Sequence, residues 1–121
     1  MTHRILLVDD AQIMRMMMGK VFKEAGYEIV GQASTGVEAV EKYLDLRPDL
    51  VMMDITMPEM SGIEAVKEIM ELDPKAKIIM CSAMGQKSMV LESIEAGARN
   101  FIIKPFEPQK LLDIVRAVLA E

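Results

Sequence analysis

The residues that could do chemistry in this 121-residue sequence lie where its short apolar runs end. Four such runs stop at residues suited to metal or phosphate chemistry, which are Asp9 with Asp10, Asp54, Ser82 and Lys104. Three carboxylates in one place would repel one another unless a cation neutralised them, and oxygen ligation with few protein ligands suits Mg²⁺. A hydroxyl and an ammonium beside them would stabilise charge on a phosphoryl group, which an aspartate can accept as an acyl phosphate.

The elements that must position these residues follow from the alternation of short apolar runs with amphipathic stretches. This alternation is typical of an α/β fold built from βα units around a parallel sheet. We predict strands at 4–8, 28–32, 49–54, 77–82 and 99–103, and helices at 12–25, 36–46, 62–72, 86–96 and 108–120. Parallel strands all end at one edge of their sheet, the carboxyl edge, where proteins of this class bind ligands.

Capping signals support the predicted helix boundaries. The segments Thr35–Glu38 and Ser61–Glu64 both match the capping box at a helix start. Gly26 and Gly97 stand where helices need a left-handed residue to end, and Pro108 suits the first turn of the last helix. The second predicted strand is the most polar, so we expect it at an edge of the sheet.

Composition limits the classes of function. The sequence is that of one soluble domain, expected to span residues 1–121. We find no apolar run as long as a membrane span, and the first residues lead into a strand without a secretory signal, so we expect a cytoplasmic protein. The net charge of −5 argues against nonspecific nucleic-acid binding. The single cysteine, Cys81, excludes an intramolecular disulfide.

The sequence contains 13 methionines, which is an unusual number. Methionine fills irregular gaps in a core, and it also forms adaptable surfaces for partners. Four of them fall in the first predicted helix and cannot all point inward: Met14, Met16, Met17 and Met18.

Each of the chemically suited residues has a simpler explanation when it is taken alone. An aspartate after a strand is most often a helix N-cap, and Asp10 could merely cap the first helix. Ser82 alone is uninformative, and Lys104 alone would usually be a solvated charge. Their joint placement at the ends of separate buried strands is what favours a functional site.

Four segments, in their order and spacing, resemble the response-regulator receiver domains of two-component signalling, and most closely those of chemotaxis. The segments are Val8-Asp9-Asp10, Asp54–Gly62, Ser82-Ala83-Met84 and Lys104-Pro105-Phe106. The resemblance spans essentially the whole chain. It implies a flavodoxin-like, doubly wound (βα)5 fold with strand order 2-1-3-4-5.

The same resemblance implies a phosphorylation site with a bound metal. Asp54 would be the phosphoacceptor. Asp10, Asp54 and the backbone carbonyl of Thr56 would ligate Mg²⁺, while Asp9 would bind it largely through water. The resemblance also implies that the protein is a signalling phosphoacceptor and not an enzyme.

Four further positions acquire roles from the resemblance. Lys104 would pair with the phosphoryl oxygens, and Ser82 would swing to donate a hydrogen bond to one of them. Phe101 stands where the family keeps an aromatic switch residue that turns inward on activation. The Lys104–Pro105 peptide bond is expected to be cis, which would aim the lysine back at Asp54.

The expected partners are a histidine kinase, a motor-switch or adaptor protein bound by the fourth helix, fifth strand and fifth helix, and a phosphatase. We expect a monomer that binds neither nucleic acid nor membrane. A relay intermediate and a receiver fragment of a larger regulator are the alternatives within this class.

Two other classes of protein fit the sequence poorly. An aspartyl phosphohydrolase would need a second aspartate at Thr56, although slow self-dephosphorylation is compatible with the sequence. A flavin carrier would need a small, hydroxyl-rich loop in place of Asp9 to Gln12.

Overall fold

Five helices and five strands alternate along the chain in a computed structural model, which describes residues 2–83 and 85–121. The strands are β1 (Arg4–Val8), β2 (Glu28–Ala33), β3 (Leu50–Met53), β4 (Ile78–Ser82) and β5 (Asn100–Ile103). The helices are α1 (Gln12–Glu24), α2 (Gly36–Leu46), α3 (Gly62–Leu72), α4 (Lys87–Ala96) and α5 (Pro108–Leu119). The element order and types agree with the prediction.

The strands form one parallel sheet in the order β2-β1-β3-β4-β5. This confirms the predicted flavodoxin-like fold. The three central strands are almost entirely buried, because helices cover both faces of the sheet. Strand β2 lies at an edge and is only partly buried, as its polar sequence predicts.

Alternate residues of each strand serve two separate cores. Leu6 and Val8 of β1 face the core that is covered by α2, α3 and α4. Ile5 and Leu7 face the core that is covered by α1 and α5. Both cores are therefore built from the same strands, one core on each face of the sheet. The carboxyl ends of these strands lie at one edge of the sheet, between the two layers of helices.

The predicted helix caps are present. The side chains of Thr35 and Ser61 accept hydrogen bonds from the backbone N–H groups of Glu38 and Glu64. Gly26 and Gly97 follow α1 and α4 with φ angles of 93° and 121°, a region that favours glycine because other residues carry a Cβ. None of the helices within the described residues is both long and apolar enough to cross a bilayer.

Helix α1 differs from α2 and α3 at its start. Its N-cap is Ala11, which has no side-chain capping bond. Asp10 therefore does not serve as the N-cap of α1, and the simplest explanation for this residue is wrong.

The methionines of α1 differ in burial. Met18 is buried, whereas Met16 and Met17 are exposed, as expected for four methionines that cannot all face inward.

A buried tyrosine stabilises the packing of α2 against the end of α3. The hydroxyl of Tyr43 donates a hydrogen bond of 2.7 Å to Oδ2 of Asp73. This bond lowers the pKa of Asp73. Burial, followed by the bond to Asp73, raises the pKa of Tyr43, so the tyrosine stays protonated and the aspartate stays charged at neutral pH.

We expect Tyr43→Phe to lower the free energy of unfolding by about 1 kcal/mol at pH 7, because the charged carboxylate loses a donor. A carboxyl with a depressed pKa contributes stability above its unfolded pKa, and the contribution is lost as the pH falls through its folded pKa. The difference between wild type and variant should therefore shrink below about pH 4. Urea denaturation at neutral and acid pH measures this difference. Tyr27→Phe is the matched control. An equal loss of unfolding free energy in both variants would contradict the stabilising role of the hydrogen bond from Tyr43 to Asp73.

Candidate functional site

The carboxyl edge of the central strands brings the three predicted aspartates together. Val8 at the end of β1 pairs with Met53 at the end of β3, so Asp9 and Asp54 emerge side by side. The N–H of Asp54 donates to the carbonyl of Val8 at 2.9 Å. Carboxylate oxygens of Asp9, Asp10 and Asp54 all lie within 4.8 Å of one another. The sheet topology thus produces the cluster that the strand ends predict.

Burial makes this cluster electrostatically costly. Asp9 is 1% and Asp54 is 6% exposed, whereas Asp10 opens to solvent. Burial is the main cause, and the charge of Asp9 the second, of a pKa of Asp54 that is raised to about 6 overall, while Lys104 and the N–H of Ile55 act in the opposite sense. A bound cation would relieve this repulsion. The all-oxygen donor set and the open side at Asp10 fit a hard divalent ion that keeps part of its water shell.

Lys104 supplies the positive charge within the cluster. Its Nζ donates to Oδ2 of Asp9 at 2.6 Å and lies 3.6 Å from Oδ1 of Asp54. Burial lowers the pKa of Lys104, but the bond to Asp9 and the charges of both aspartates outweigh it and raise the pKa overall. The backbone N–H of Lys104 donates to the carbonyl of Ser82 at 2.9 Å, and its peptide bond to Pro105 is cis.

The loop between β3 and α3 passes unusually close to Asp54. The N–H of Gly62 donates to the carbonyl of Ile55 at 2.7 Å. A Cβ atom on Gly62 would lie 1.8 Å from the carbonyl oxygen of Asp54. Only glycine therefore fits where the loop returns to the site. Thr56 lies within this loop and is exposed.

Ser82 and Phe101 lie on the same face of the sheet. Ser82 ends β4 and is 2% exposed, and Phe101 in β5 pairs with Met80, two residues before the serine. Phe101 is half-buried and packs against the core under α2, α3 and α4. Met84, which belongs to the predicted Ser82 segment, lies outside the described residues.

Two residues beside the cluster were missed by the sequence-based prediction. Gly62 entered the prediction only through its capping box and through the Asp54–Gly62 segment, and neither of these indicates that it approaches the backbone of Asp54. Arg15 in α1 donates to the carbonyl of Asp9. The one feature of the sequence that distinguishes Arg15 is its place near the start of a predicted helix, where the helix dipole disfavours positive charge.

The sequence matches the family described as the response regulator receiver domain over residues 5–116. It is 58% identical to the chemotaxis protein CheY of Thermotoga maritima over 118 residues, which are 98% of each chain. It is 56% identical to the Bacillus subtilis CheY over 119 residues, which are 98% of this chain and 99% of the relative. A CheY in a CheX–CheY–BeF3–Mg²⁺ complex from Borrelia burgdorferi superposes with a TM-score of 0.95 at 37% identity, covering 98% of this chain and 90% of the other.

Proposed function

This chain belongs to the family of response regulator receiver domains, and from that premise we propose that Asp54 accepts a phosphoryl group in a Mg²⁺-dependent reaction. The observation that carries the proposal is the convergence of three carboxylates and Lys104 at the carboxyl edge of the sheet. Asp10, Asp54 and the backbone carbonyl of Thr56 would hold the metal, with Asp9 acting mainly through water. Bound Mg²⁺ supplies positive charge for the carboxylates and the phosphoryl oxygens.

The geometry supports Asp54 as the nucleophile. Its Oδ1 accepts the N–H of Ile55 at 2.9 Å, which orients the carboxylate, and we assign the attack to Oδ2. A bond forms between Oδ2 and the phosphorus of a phosphohistidine on the kinase. The phosphorus–nitrogen bond breaks, and the histidine nitrogen keeps the electron pair. Lys104, held 3.6 Å from Oδ1, would compensate the charge on the phosphoryl oxygens.

Receiver domains are signalling proteins and not turnover enzymes, which agrees with the residue at position 56. An aspartate there could protonate a leaving group, as a phosphohydrolase requires, but the residue is Thr56. We therefore propose that water removes the phosphoryl group from Asp54 only slowly, and that a phosphatase accelerates this loss.

Ser82 and Phe101 would carry the signal to the surface. A phosphoryl group on Asp54 adds strong acceptors, and the hydroxyl of Ser82 would move toward them. Phe101, on the same face of the sheet, would then turn inward from its half-buried position. The surface formed by α4, β5 and α5 exposes Leu91, Ile94 and Ile103, and it would bind the partner.

The names of the relatives favour chemotaxis as the process. The partners would then be a histidine kinase and a protein of the flagellar or archaellar motor switch, or its adaptor. We propose that the receiver acts as a cytoplasmic monomer of a single domain. A relay intermediate and a fragment of a larger regulator are the alternatives, and the partner that is captured distinguishes them.

The protein is expected to gain one phosphoryl group, by intact mass, when treated with a small phosphodonor and Mg²⁺. Asp54→Asn should abolish the gain, because the amide is not a nucleophile of comparable strength. Asp45→Asn, an exposed change in α2, is the matched control and should leave the gain intact. If the wild type gains no mass, or Asp54→Asn gains as much as wild type, the receiver mechanism is wrong.

A second arm of this experiment identifies the partner. Wild-type protein bound to a phosphoryl mimic is used to capture motor-switch and relay proteins, with Asp54→Asn as the unactivated control. Capture of a motor-switch protein or its adaptor supports the chemotaxis assignment. Capture of a histidine phosphotransfer protein alone supports the relay.

A further inference from the structure

We propose that Arg15 is a positioning residue that holds the metal-binding loop after β1 in place, an inference that rests on the proposed function. Its guanidinium joins two elements at the rim of the site. Nη1 donates to the carbonyl oxygen of Asp9 at 2.5 Å, and Nε donates to Oε1 of Gln32 at 3.0 Å. Arg15 thereby ties the loop to the edge strand β2.

The bond from Arg15 completes the fixation of Asp9. Oδ1 of Asp9 accepts the N–H of Ala11 at 2.9 Å, and Oδ2 accepts Nζ of Lys104. The N–H of Asp9 donates to the carbonyl of Ala33 at 3.0 Å. Its carbonyl is the remaining polar group, and it belongs to the peptide that leads into Asp10. Arg15 thus holds the peptide from which the Asp10 side chain projects.

Asp10 depends on this peptide more than its neighbours do. Asp9 and Asp54 are buried and held by hydrogen bonds to both side chain and backbone. The Asp10 carboxylate is exposed, and within residues 2–83 and 85–121 it accepts no hydrogen bond. The direction of this carboxylate is therefore set by the backbone that Arg15 anchors.

The charge of Arg15 does not account for its position. Helix α1 has no acidic residue in its first turn and no side-chain cap, and a cation there is opposed by the helix dipole. A positive charge near a cation site also repels the cation. If charge were the only effect, removing Arg15 would tighten Mg²⁺ binding. A positioning role predicts the opposite sign, because groups behind a metal ligand typically change metal affinity about tenfold or more.

Calorimetric titration with Mg²⁺ distinguishes these two roles. Arg15→Met and Arg15→Lys are both expected to weaken Mg²⁺ binding about tenfold, since lysine keeps the charge but cannot join Asp9 to Gln32 in the same way. Arg116→Met removes the same charge from an exposed position in α5 and should leave the affinity unchanged. Tighter binding by Arg15→Met, or wild-type affinity in both Arg15 variants, would overturn the inference.

Phosphorylation by a small phosphodonor provides a second readout. The Mg²⁺ concentration for half-maximal rate should rise in the Arg15 variants, while the rate at saturating Mg²⁺ stays at the wild-type value. A lower rate at saturating Mg²⁺ with unchanged half-saturation would contradict a positioning role.

Gln32→Ala keeps Arg15 and removes only its second anchor, so it tests the inference even where an Arg15 variant fails to fold. A smaller loss of Mg²⁺ affinity in the same direction is expected, and unchanged affinity would contradict the role of this anchor. Failure of wild-type protein to bind Mg²⁺ would overturn the proposed function together with this inference. Equal binding by wild type and all variants would overturn the inference alone.

Discussion

Lys104→Met is expected to lower the free energy of unfolding by about 3 kcal/mol at pH 7 without divalent metal. The substitution keeps an unbranched apolar stem but leaves Asp9, which is 1% exposed, without its ionic partner. Removing one partner of a buried ion pair is costly, because the remaining charge is not solvated. Without Lys104, the repulsion between the carboxylates of Asp9 and Asp54 is also no longer compensated by a positive charge. Chemical denaturation in a chelator measures the loss.

Addition of Mg²⁺ should restore part of this stability, because the cation replaces the missing positive charge and binds only the folded protein. Lys110→Met is the matched control, since this lysine is exposed at the start of α5. The control is expected to remain within about 0.5 kcal/mol of wild type. A Lys104→Met variant as stable as wild type in the chelator would contradict the assigned ion pair.

Gly62→Ala is expected to lower the free energy of unfolding by about 3 kcal/mol and to reduce phosphorylation of Asp54. The added Cβ would lie 1.8 Å from the carbonyl oxygen of Asp54, which is backbone and cannot rotate away. The β3–α3 loop must therefore shift, and it carries the phosphoacceptor with it. Thermal or urea denaturation gives the first effect and intact mass gives the second.

Gly19→Ala provides the matched control for this prediction. Gly19 lies within α1, and a Cβ there would meet Cδ1 of Leu7 at 3.7 Å, an ordinary contact. Because alanine favours the helix more than glycine does, this change should stabilise the protein by about 0.5–1 kcal/mol. Equal stability of Gly62→Ala and wild type would show that the close approach is not present in solution.

The parts of the fold that depend on local sequence were predictable. Buried runs such as Leu50–Met53 have the composition of central strands, and the polar β2 segment has that of an edge. The capping hydroxyls of Thr35 and Ser61 are recognisable from the acidic residue three positions later. The convergence of the aspartates followed from the parallel sheet, because strand ends share one edge.

The parts that depend on tertiary approach were not predictable from the sequence. Nothing local shows that Gly62 returns to the carbonyl of Asp54, since that contact is created by the path of the loop. The bond from Arg15 to Asp9 joins a helix to a neighbouring loop, and the tie to Gln32 spans 17 positions. The simplest explanation of Asp10, a helix cap, could be rejected only when Ala11 was found at the N-cap.

The position of the phosphoryl group tests the central claim most directly. Borohydride reduces an acyl phosphate at its carbonyl carbon, releasing phosphate and converting the aspartate to homoserine, and peptide mass spectrometry locates the change. We expect homoserine at position 54 only when phosphodonor and Mg²⁺ were both present. Homoserine at Asp9 or Asp10, or an unmodified Asp54 in protein that had gained a phosphoryl group, would contradict the assignment of Asp54 as acceptor.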